Sequence, residues 1–394
     1  MKNHHVTLNV TRLAAKMSAP FRISGYVFDA MPAVVVTLSV GGYTGRGEAA
    51  GVYYLNDDQD HMVQQLESVR TAIEGGIDRS GLQSLLPAGG ARNALDCAMW
   101  ELEANRAQMP VWKLAGVGEP VPRITTFTLA AEEPATFAKR LDALPSTRAI
   151  KLKLDGDLDA DTERLRVLRQ RHPDTWLMAD ANQAFRSDQF DALETVLVKH
   201  RVSLLEQPVR RGDEAALSGW HPPFPIAADE SVVSLAELDD RSQYFDMINI
   251  KLDKCGGLTE ALAIAERAAA MGKTLMVGNM AGSTLAMAPA FIVAQKCEVV
   301  DLDGPFGLAS DPHVDEIYSD GKIFVSEDLW GSCQTDTRGN PSRRAGKAPH
   351  LRKATEGAST TDDAAREQLS ENNRQGDRSQ KRVEHCAVVP KQGD

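Results

Sequence analysis

Three short apolar runs each end in a carboxylate: Leu177-Met-Ala-Asp180, Leu204-Leu-Glu206 and Ile226-Ala-Ala-Asp229. Strands of a parallel sheet are buried on both faces, so they read as continuous apolar runs rather than as an alternation of polar and apolar residues. A segment with helical periodicity, Asp188–His200, separates the first run from the second. We therefore predict that the runs are consecutive strands of one parallel sheet, each with an acidic residue at its C-terminal end.

The alternation of strand and helix continues on both sides of these runs. Further helical segments are Asp161–Arg171 and Thr259–Met271. The predicted strands are Ile124–Leu129, Ala149–Leu154, Trp176–Asp180, Ser203–Glu206, Ile226–Asp229, Met247–Leu252, Thr274–Val277 and Val299–Asp303. Repeated βα steps predict an α/β fold with a closed parallel barrel. An open doubly wound sheet is the alternative, but it is disfavoured because no GxGxxG motif follows the first strand.

The first 120 residues read instead as an α+β domain. Strands are predicted at Val6–Leu13, Ala33–Val40 and Tyr43–Ala49, with a Gly41-Gly42 turn between the last two, and helices at Met62–Ile73 and Ala91–Asn105. We call this N-terminal α+β domain the capping domain.

The composition changes near Trp330. From Gly331 to Asp394 the strongly apolar aliphatic residues are Leu351, Leu369, Val383, Val388 and Val389. Such a segment cannot bury enough apolar surface to offset the entropy lost on ordering, so we predict a disordered tail. The predicted organisation is a capping domain (1–120), a barrel (121–310), a return segment to the capping domain (311–330) and the tail (331–394).

Charge and cysteine content exclude several classes of protein. The formal net charge of −11 argues against nucleic acid or an anionic membrane as a partner. No apolar run approaches the roughly 18 residues of a membrane span, and the N-terminus lacks the apolar core of a signal peptide. The five cysteines are widely spaced and form no CxxC pair. We therefore expect reduced thiols and a cytoplasmic location.

The acidic strand ends are the candidate metal site, because barrel active sites lie at the C-terminal ends of the strands. A single acid there would more often cap a helix, but Asp180, Glu206 and Asp229 end three consecutive strands and would repel one another without a cation. Carboxylate oxygens suit Mg²⁺, and no His or Cys is present at these ends to favour zinc. We predict that the three residues bind one Mg²⁺ per subunit.

Lysines precede and follow these acids in the chain. Lys151 and Lys153 lie two residues apart on the second predicted strand and therefore point to the same side, while Lys251 ends the sixth strand, across the barrel. Mg²⁺ and a neighbouring ammonium would lower the pKa of an amine, which could then take a proton from carbon. With an amine on each face, one could abstract a proton and the other return one, so that the carbon is inverted through an enediolate stabilised by the metal.

Six stretches carry a family resemblance: Leu85–Trp100, Lys151–Lys153, Ala179–Asn182, Leu205–Pro208, Ala228–Ser231 and Asn249–Glu260. They resemble the enolase superfamily, muconate-lactonizing subgroup, over about residues 21–330. The last predicted strand ends in Asp301-Leu-Asp303, which resembles the Asp-x-Asp feature of the dipeptide epimerases, the L-Ala-D/L-Glu epimerases among them. The resemblance implies a barrel of the modified TIM type and an isomerase that acts on dipeptides. The resemblance also implies a homo-oligomer, because related barrels are commonly oligomers.

The resemblance implies a role for each candidate residue. The Mg²⁺ ligands would be Asp180, Glu206 and Asp229. Lys153 and Lys251 would be the acid/base catalysts at the α-carbon of the C-terminal residue, and Lys151 would approach the carboxylate and lower the pKa of Lys153. Asp301 and Asp303 would accept the ammonium of the N-terminal residue.

Two segments of the capping domain are expected to set the substrate preference. In the first, after Arg22, Tyr26 and Phe28 offer apolar contact to the substrate and Asp29 would repel an acidic side chain, which favours a neutral or apolar second residue. The second, Ala50-Gly-Val-Tyr-Tyr54, is also aromatic, although these tyrosines could simply pack beneath the cap.

Other functions would use the same residues differently. An N-acylamino-acid racemase or a cycloisomerase would keep both lysines but would have little use for Asp301 and Asp303. Acid-sugar dehydratases use a His near the seventh strand, where this chain has none. A Schiff-base aldolase would use Lys153 or Lys251 as a nucleophile, which the acidic triad disfavours. A binding protein without activity is disfavoured because the lysines and carboxylates are intact.

Overall fold

The structure, a computed structural model, describes residues 5–23 and 26–332 and leaves the side chains of residues 21–28 undescribed. The tail predicted to be disordered therefore lies outside the described residues from position 333 onward. None of the described helices is both long enough and apolar enough to cross a membrane.

An antiparallel sheet and helices form the N-terminal domain. Its elements are β1 Thr7–Ile23, β2 Tyr26–Val40, β3 Tyr43–Ala49, α1 Gln59–Glu74, α2 Arg79–Leu85, α3 Gly90–Ala107 and α4 Val111–Leu114. The strand order is β1-β2-β3, and α3 packs against β3. Gly45 and Gly47 allow that close approach, because a Cβ atom at either position would lie 2.0 or 2.1 Å from a carbonyl oxygen of α3.

The first two strands extend much further than predicted. β1 continues past Leu13, the predicted end, to Ile23, and β2 begins at Tyr26 rather than at Ala33. The segment expected to be a loop is thus the far end of a hairpin, with a register irregularity between Lys16 and Phe21. The sequence pattern did not reveal this extension, because the pairing depends on backbone groups and the Ala-rich stretch lacks clear polar–apolar alternation.

Eight parallel strands form the barrel, as predicted. They are β5 Thr126–Leu129, β6 Ala149–Lys153, β7 Trp176–Asp180, β8 Leu204–Glu206, β9 Ile226–Ala228, β10 Met247–Ile250, β11 Thr274–Val277 and β12 Val299–Val300. Their order in the sheet follows the chain without reversal, which excludes the doubly wound alternative. At the seam, the Thr126 hydroxyl donates to Asp301 at 2.6 Å and the Thr128 N–H donates to Asp303 at 2.6 Å, so side chains join β5 to the segment after β12.

Helices between the strands cover the barrel. They are α5 Pro134–Asp142, α6 Leu158–Arg171, α7 Phe190–Lys199, α8 Leu235–Arg241, α9 Leu252–Cys255, α10 Leu258–Ala270, α11 Thr284–Ala294 and α12 Val314–Ile317. Three short strands, β4 Arg123–Ile124, β13 Tyr318–Ser319 and β14 Lys322–Ile323, form a separate sheet. Beyond it, Trp330 donates to the carbonyl of Arg46 in β3, so the end of the described chain contacts the N-terminal domain.

The barrel interior changes from apolar to charged along the strands. A buried cluster fills its lower part: Met178, Leu204, Ala227, Met247 and Met276. Side chains alternate in direction along a strand, so the residues two positions further on point to the same side. In β7 and β8 those residues are Asp180 and Glu206, and directly after β9 the residue is Asp229. The charged groups therefore meet at the C-terminal end of the barrel.

No disulfide links the cysteines of the described residues. Cys97, Cys255 and Cys297 are free and buried, and burial raises the pKa of each thiol above its ordinary value. Cys333 and Cys386 lie outside the described residues.

Candidate active site

Strand register aligns the candidate residues at one level of the barrel. Lys153 of β6 is the partner of Asp180 in β7, and Asp180 is the partner of Glu206 in β8. Asp229 directly follows β9 and Lys251 directly follows β10. All five side chains are buried, so the sequence prediction that they converge at the strand ends matches the geometry.

Each predicted metal ligand contacts at least one ammonium group. Lys151 Nζ lies 3.0 Å from Asp180 Oδ2 and 2.8 Å from Glu206 Oε2, between the two acids. Lys153 Nζ lies 2.6 Å from Asp180 Oδ2, and Lys251 Nζ lies 2.6 Å from Asp229 Oδ2. With the carboxylates turned to these partners, no group of three among the described His, Cys, Asp and Glu side chains is arranged to hold a metal ion.

The carboxyl groups divide into two classes by pKa. Burial opposes ionisation of Asp180 and Asp229, but the neighbouring lysines outweigh it and hold both pKa values below the ordinary range. Burial, together with the charge of Asp180, raises the pKa of Glu206 to about 7. Burial, together with the charge of Asp229, raises the pKa of Glu230 to about 8.

The charges of the chain itself raise the pKa of two lysines of the site. Burial would lower the pKa of Lys251, but the charge of Asp229 outweighs it and the net shift is upward. The pKa of Lys151 is raised in the same way, by Asp180, Asp301 and Glu206 against the effect of burial. The lowered pKa that the sequence argument expected is therefore not produced by the charges of the chain itself.

The donor set nonetheless fits a hard divalent cation. Asp180, Glu206 and Asp229 supply only oxygen ligands, and all three are withdrawn from solvent at adjacent strand ends. The Lys151 ammonium group lies between Asp180 and Glu206, so the field of these acids already holds one positive charge at this point.

Asp301 and Asp303 lie at the same end of the barrel, beside the first strand. Asp301 Oδ2 is 2.9 Å from Lys151 Nζ, and its other oxygen accepts from Thr126. Asp303 accepts from the Thr128 N–H, and burial with the charge of Asp301 raises the pKa of Asp303 to about 6. Both residues line the cavity described below, which agrees with the position predicted for them.

Sequence reasoning missed several residues that support the acids. Lys254 Nζ lies 2.6 Å from Asp229 Oδ1 and donates to the carbonyls of Asp229, Val232 and Asn249. Asn249 Nδ2 donates to Glu206 Oε1 at 2.7 Å. Both residues stand inside a quoted motif, and the period of two from Lys251 back to Asn249 could have identified Asn249 as inward-facing.

A cavity of about 290 Å³ opens above these groups. Barrel residues and the N-terminal domain line it together, the latter through Met17–Pro20, Met31, Tyr53 and Tyr54. The Tyr54 hydroxyl is buried and has no hydrogen-bond partner among the described residues. Tyr26, a predicted substrate contact, begins β2, but its side chain lies outside the described residues.

Two family models match the chain. Residues 5–116 match the mandelate racemase / muconate lactonizing enzyme N-terminal domain, and residues 134–321 match the enolase C-terminal domain-like family. Together they include the N-terminal domain and most of the barrel.

Similar proteins act on dipeptides or amino acid derivatives. The L-Ala-D/L-Glu epimerase of Escherichia coli (strain K12) is 38% identical over 321 residues, which are 81% of this chain and 99% of that protein. The N-acetyl-D-glutamate racemase of a Pseudoalteromonas species is 35% identical over 264 residues, 66% of this chain and 82% of that protein.

Solved structures of the same fold contain bound cations and dipeptides. An enolase family member from Agrobacterium tumefaciens with homology to dipeptide epimerases, bound to sodium and L-Ala-L-Glu, is 33% identical, with a TM-score of 0.75 over 83% of this chain and 100% of that one. A dipeptide epimerase from Methylococcus capsulatus, complexed with Mg and L-Arg-D-Lys, is 28% identical, with a TM-score of 0.74 over 82% of this chain and 97% of that one.

Proposed function

The chain belongs to the enolase superfamily, in the mandelate racemase / muconate lactonizing enzyme family, and we propose that it is a Mg²⁺-dependent dipeptide epimerase. It is an isomerase, as its relatives are epimerases and racemases. The proposed reaction inverts the α-carbon of the C-terminal residue. The observation that carries the proposal is the placement of Lys153 and Lys251 on opposite strands of one barrel, each against a different acid of the triad.

Three carboxylates would hold the cation: Asp180, Glu206 and Asp229. When bound, Mg²⁺ would supply positive charge beside the substrate carboxylate and so stabilise the negative charge that develops there. Asn249 fixes Glu206 by donating to it, and Lys254 fixes Asp229. Lys151, which lies between two of the acids, would contact the substrate carboxylate as well.

Lys153 and Lys251 would face the two sides of the α-carbon. The neutral amine of one accepts the α-proton and becomes an ammonium, which leaves an enediolate. The ammonium of the other then donates a proton to the opposite face and becomes neutral. One proton is taken up and one is released, so the carbon is inverted without any net change in composition.

Asp301 and Asp303 would bind the ammonium of the N-terminal residue. Both line the cavity, and each retains acceptor capacity beyond the bonds described above. This preference for a free ammonium distinguishes a dipeptide from an N-acylated amino acid.

Glutamate is the side chain that we propose for the second residue. The E. coli relative is named for L-Ala-D/L-Glu, and the Agrobacterium structure contains L-Ala-L-Glu. The sequence argument for a neutral side chain depended on repulsion by Asp29. In the structure Asp29 is exposed and is not among the described residues that line the cavity, so that argument loses its weight.

The test is proton exchange followed by NMR. The protein with Mg²⁺ is incubated in D₂O with L-Ala-L-Glu, L-Ala-L-Phe or N-acetyl-L-Glu. We expect deuterium at the α-carbon of glutamate in the dipeptide and the appearance of L-Ala-D-Glu. Exchange of N-acetyl-Glu with no exchange of either dipeptide would refute the proposal and favour a racemase of N-acylated amino acids, as the Pseudoalteromonas relative is named.

Single lysine variants test the two-base assignment. Lys153→Ala and Lys251→Ala should each lose epimerisation by about 10²–10⁴-fold. Each variant should still exchange the α-proton of one epimer, L-Ala-L-Glu or L-Ala-D-Glu, with solvent deuterium. The epimer that exchanges should differ between the two variants. Lys273→Met is the matched control, because within the described residues the Lys273 side chain donates only to the carbonyl of Phe245 and does not line the cavity. Loss of exchange with both epimers in both variants would contradict the assignment.

A further inference from the structure

The segment Val52–Asp57 carries two rings from the N-terminal domain into the cavity. Tyr53 and Tyr54 meet edge to face, with ring centroids 5.2 Å apart, and both line the cavity beside Asp229 and Lys251. Because the segment follows β3, its position over the barrel depends on contacts between the two parts of the chain.

Asp253 makes the contact that ties this segment to the barrel. Its Oδ1 accepts the backbone N–H groups of Ala50 and Gly51, both at 2.9 Å, directly before the segment that carries the tyrosines. The side chain of Asn93 donates to Asp253 as well. Asp253 lies in α9, two residues after Lys251, so one turn of chain carries both the proposed base and the contact that holds the segment.

The remainder of the segment has little freedom to compensate for loss of that contact. Val52 and Asp57 exchange two backbone hydrogen bonds, and Asp57 Oδ2 accepts the N–H of Gly90 at 2.7 Å. Gly51 has φ +73°, and a Cβ there would lie 2.1 Å from the carbonyl oxygen of Asp57. The segment is thus a closed loop fixed at one end by Asp57 and at the other by Asp253.

Packing alone does not account for a carboxylate at this position. Burial and the charge of Asp57 raise the pKa of Asp253 to about 7, so ionisation of the group is costly. An apolar side chain of similar size would avoid that cost but would leave the N–H groups of Ala50 and Gly51 without an acceptor. What the carboxylate provides is the position of these two backbone groups.

We infer that Asp253 is a positioning residue that holds Tyr53 and Tyr54 over the cavity and thereby determines how tightly substrate binds. The inference rests on the proposed function for the choice of substrate, but the contact itself can be tested without it. Asp253 acts through the segment and not on the reacting carbon. Its loss should therefore raise KM more than it lowers kcat.

Three variants of Asp253 and one control distinguish an effect on the position of the segment from a general loss of protein stability. Asp253→Ala and Asp253→Leu both remove the acceptor, and Leu keeps most of the volume in case Ala fails to fold. Asp253→Asn retains an oxygen that can accept both N–H groups and should restore the wild-type behaviour. Asp96→Ala is the matched control, because Asp96 is also buried and accepts a backbone N–H across the two parts of the chain, from Thr259 at 2.9 Å, away from the cavity.

The first measurement is amide hydrogen exchange by mass spectrometry, which requires no substrate. Exchange over residues 50–57 should become about tenfold faster in Asp253→Ala and Asp253→Leu, as expected for the loss of a charge-assisted hydrogen bond. It should be unchanged in Asp253→Asn and in Asp96→Ala. If amide exchange over residues 50–57 is unchanged in both Asp253→Ala and Asp253→Leu, the inference is overturned.

The second measurement is KM and kcat for L-Ala-L-Glu. KM should rise about tenfold in Asp253→Ala and Asp253→Leu while kcat stays close to wild type, and Asp96→Ala should leave both near wild type. A change confined to kcat would overturn the inference. If the wild type turns over no dipeptide, the proposed function fails, but the exchange measurement still decides whether Asp253 holds the segment.

Discussion

Replacing Lys254 by methionine tests whether the buried charges at the barrel mouth hold one another in place. Lys254 Nζ lies 2.6 Å from Asp229 Oδ1 and also donates to three backbone carbonyls, those of Asp229, Val232 and Asn249, at 2.6, 3.2 and 3.0 Å. Methionine has a similar length but no donor. The variant therefore leaves a buried carboxylate with one ammonium neighbour fewer and three carbonyl groups without this donor.

Removing one partner of a buried ion pair costs about 3–5 kcal/mol, because the remaining charge stays desolvated. Lys251 still contacts Asp229, so we expect the lower part of that range. For a folded body of roughly 300 residues the entropy of unfolding is about 0.6 kcal/mol per kelvin, so the midpoint should fall by about 5–6 °C. Differential scanning calorimetry in EDTA measures this shift directly.

Added Mg²⁺ provides the second half of the test. A cation that binds only the folded state stabilises it, and positive charge next to Asp229 would replace part of what Lys254 supplied. The loss of stability in Lys254→Met should therefore be smaller in Mg²⁺ than in EDTA. Lys273→Met, which removes a single bond to the Phe245 carbonyl, should show a small loss that does not depend on Mg²⁺. A loss below about 1 kcal/mol, or an equal loss in both buffers, would refute the reasoning.

Two further predictions concern side chains that do not bind the cation. Burial raises the pKa of Asp96 from 3.8 to about 6, so its contribution to stability is fully present below pH 3.8 and is lost as the pH rises through about 6. In urea titrations, the free energy of unfolding of Asp96→Asn relative to that of the wild type should rise by about 3 kcal/mol between pH 4 and pH 7. A difference between the two proteins that does not change with pH would contradict this sign. Tyr54→Phe should keep the wild-type midpoint, since the hydroxyl has no described partner, but should raise KM by up to about tenfold through the loss of one hydrogen bond to substrate. An unchanged KM would show that the hydroxyl makes no contact with the substrate.

The sequence predicts the barrel and the position of its acids at the strand ends because two simple signals in the sequence mark them. Continuous apolar runs mark the buried strands, and the final polar residue of each run marks the C-terminal end. Pairing of Lys153 with Asp180, and of Asp180 with Glu206, follows once parallel strands are aligned by these ends. The roles of the residues stay predictions, since position alone does not demonstrate a metal ligand or a base.

Other features depend on contacts that no local pattern encodes. Lys254 reaches Asp229 because the short helix α9 turns the chain back directly after Lys251. Neither the apolar runs nor the polar residues at their ends predict that turn. The long hairpin of β1 and β2 was missed, since its extension is held by backbone pairing rather than by alternating side chains. In the sequence, Asp253 looks like an ordinary polar residue at the start of a helix. Only the structure shows that it accepts the N–H groups of Ala50 and Gly51.

The charges at the barrel mouth explain why the pKa of Lys151 and Lys251 is raised in the chain alone. The site brings together four ammonium groups, on Lys151, Lys153, Lys251 and Lys254, and six carboxyl groups, on Asp180, Glu206, Asp229, Glu230, Asp301 and Asp303. The carboxylates beside Lys151 and Lys251 outweigh the effect of burial, so the field of the protein itself raises the pKa of these two amines. Under the proposed function, the chain supplies the positions of Lys153 and Lys251, and a bound Mg²⁺ would supply the positive charge that favours a neutral amine.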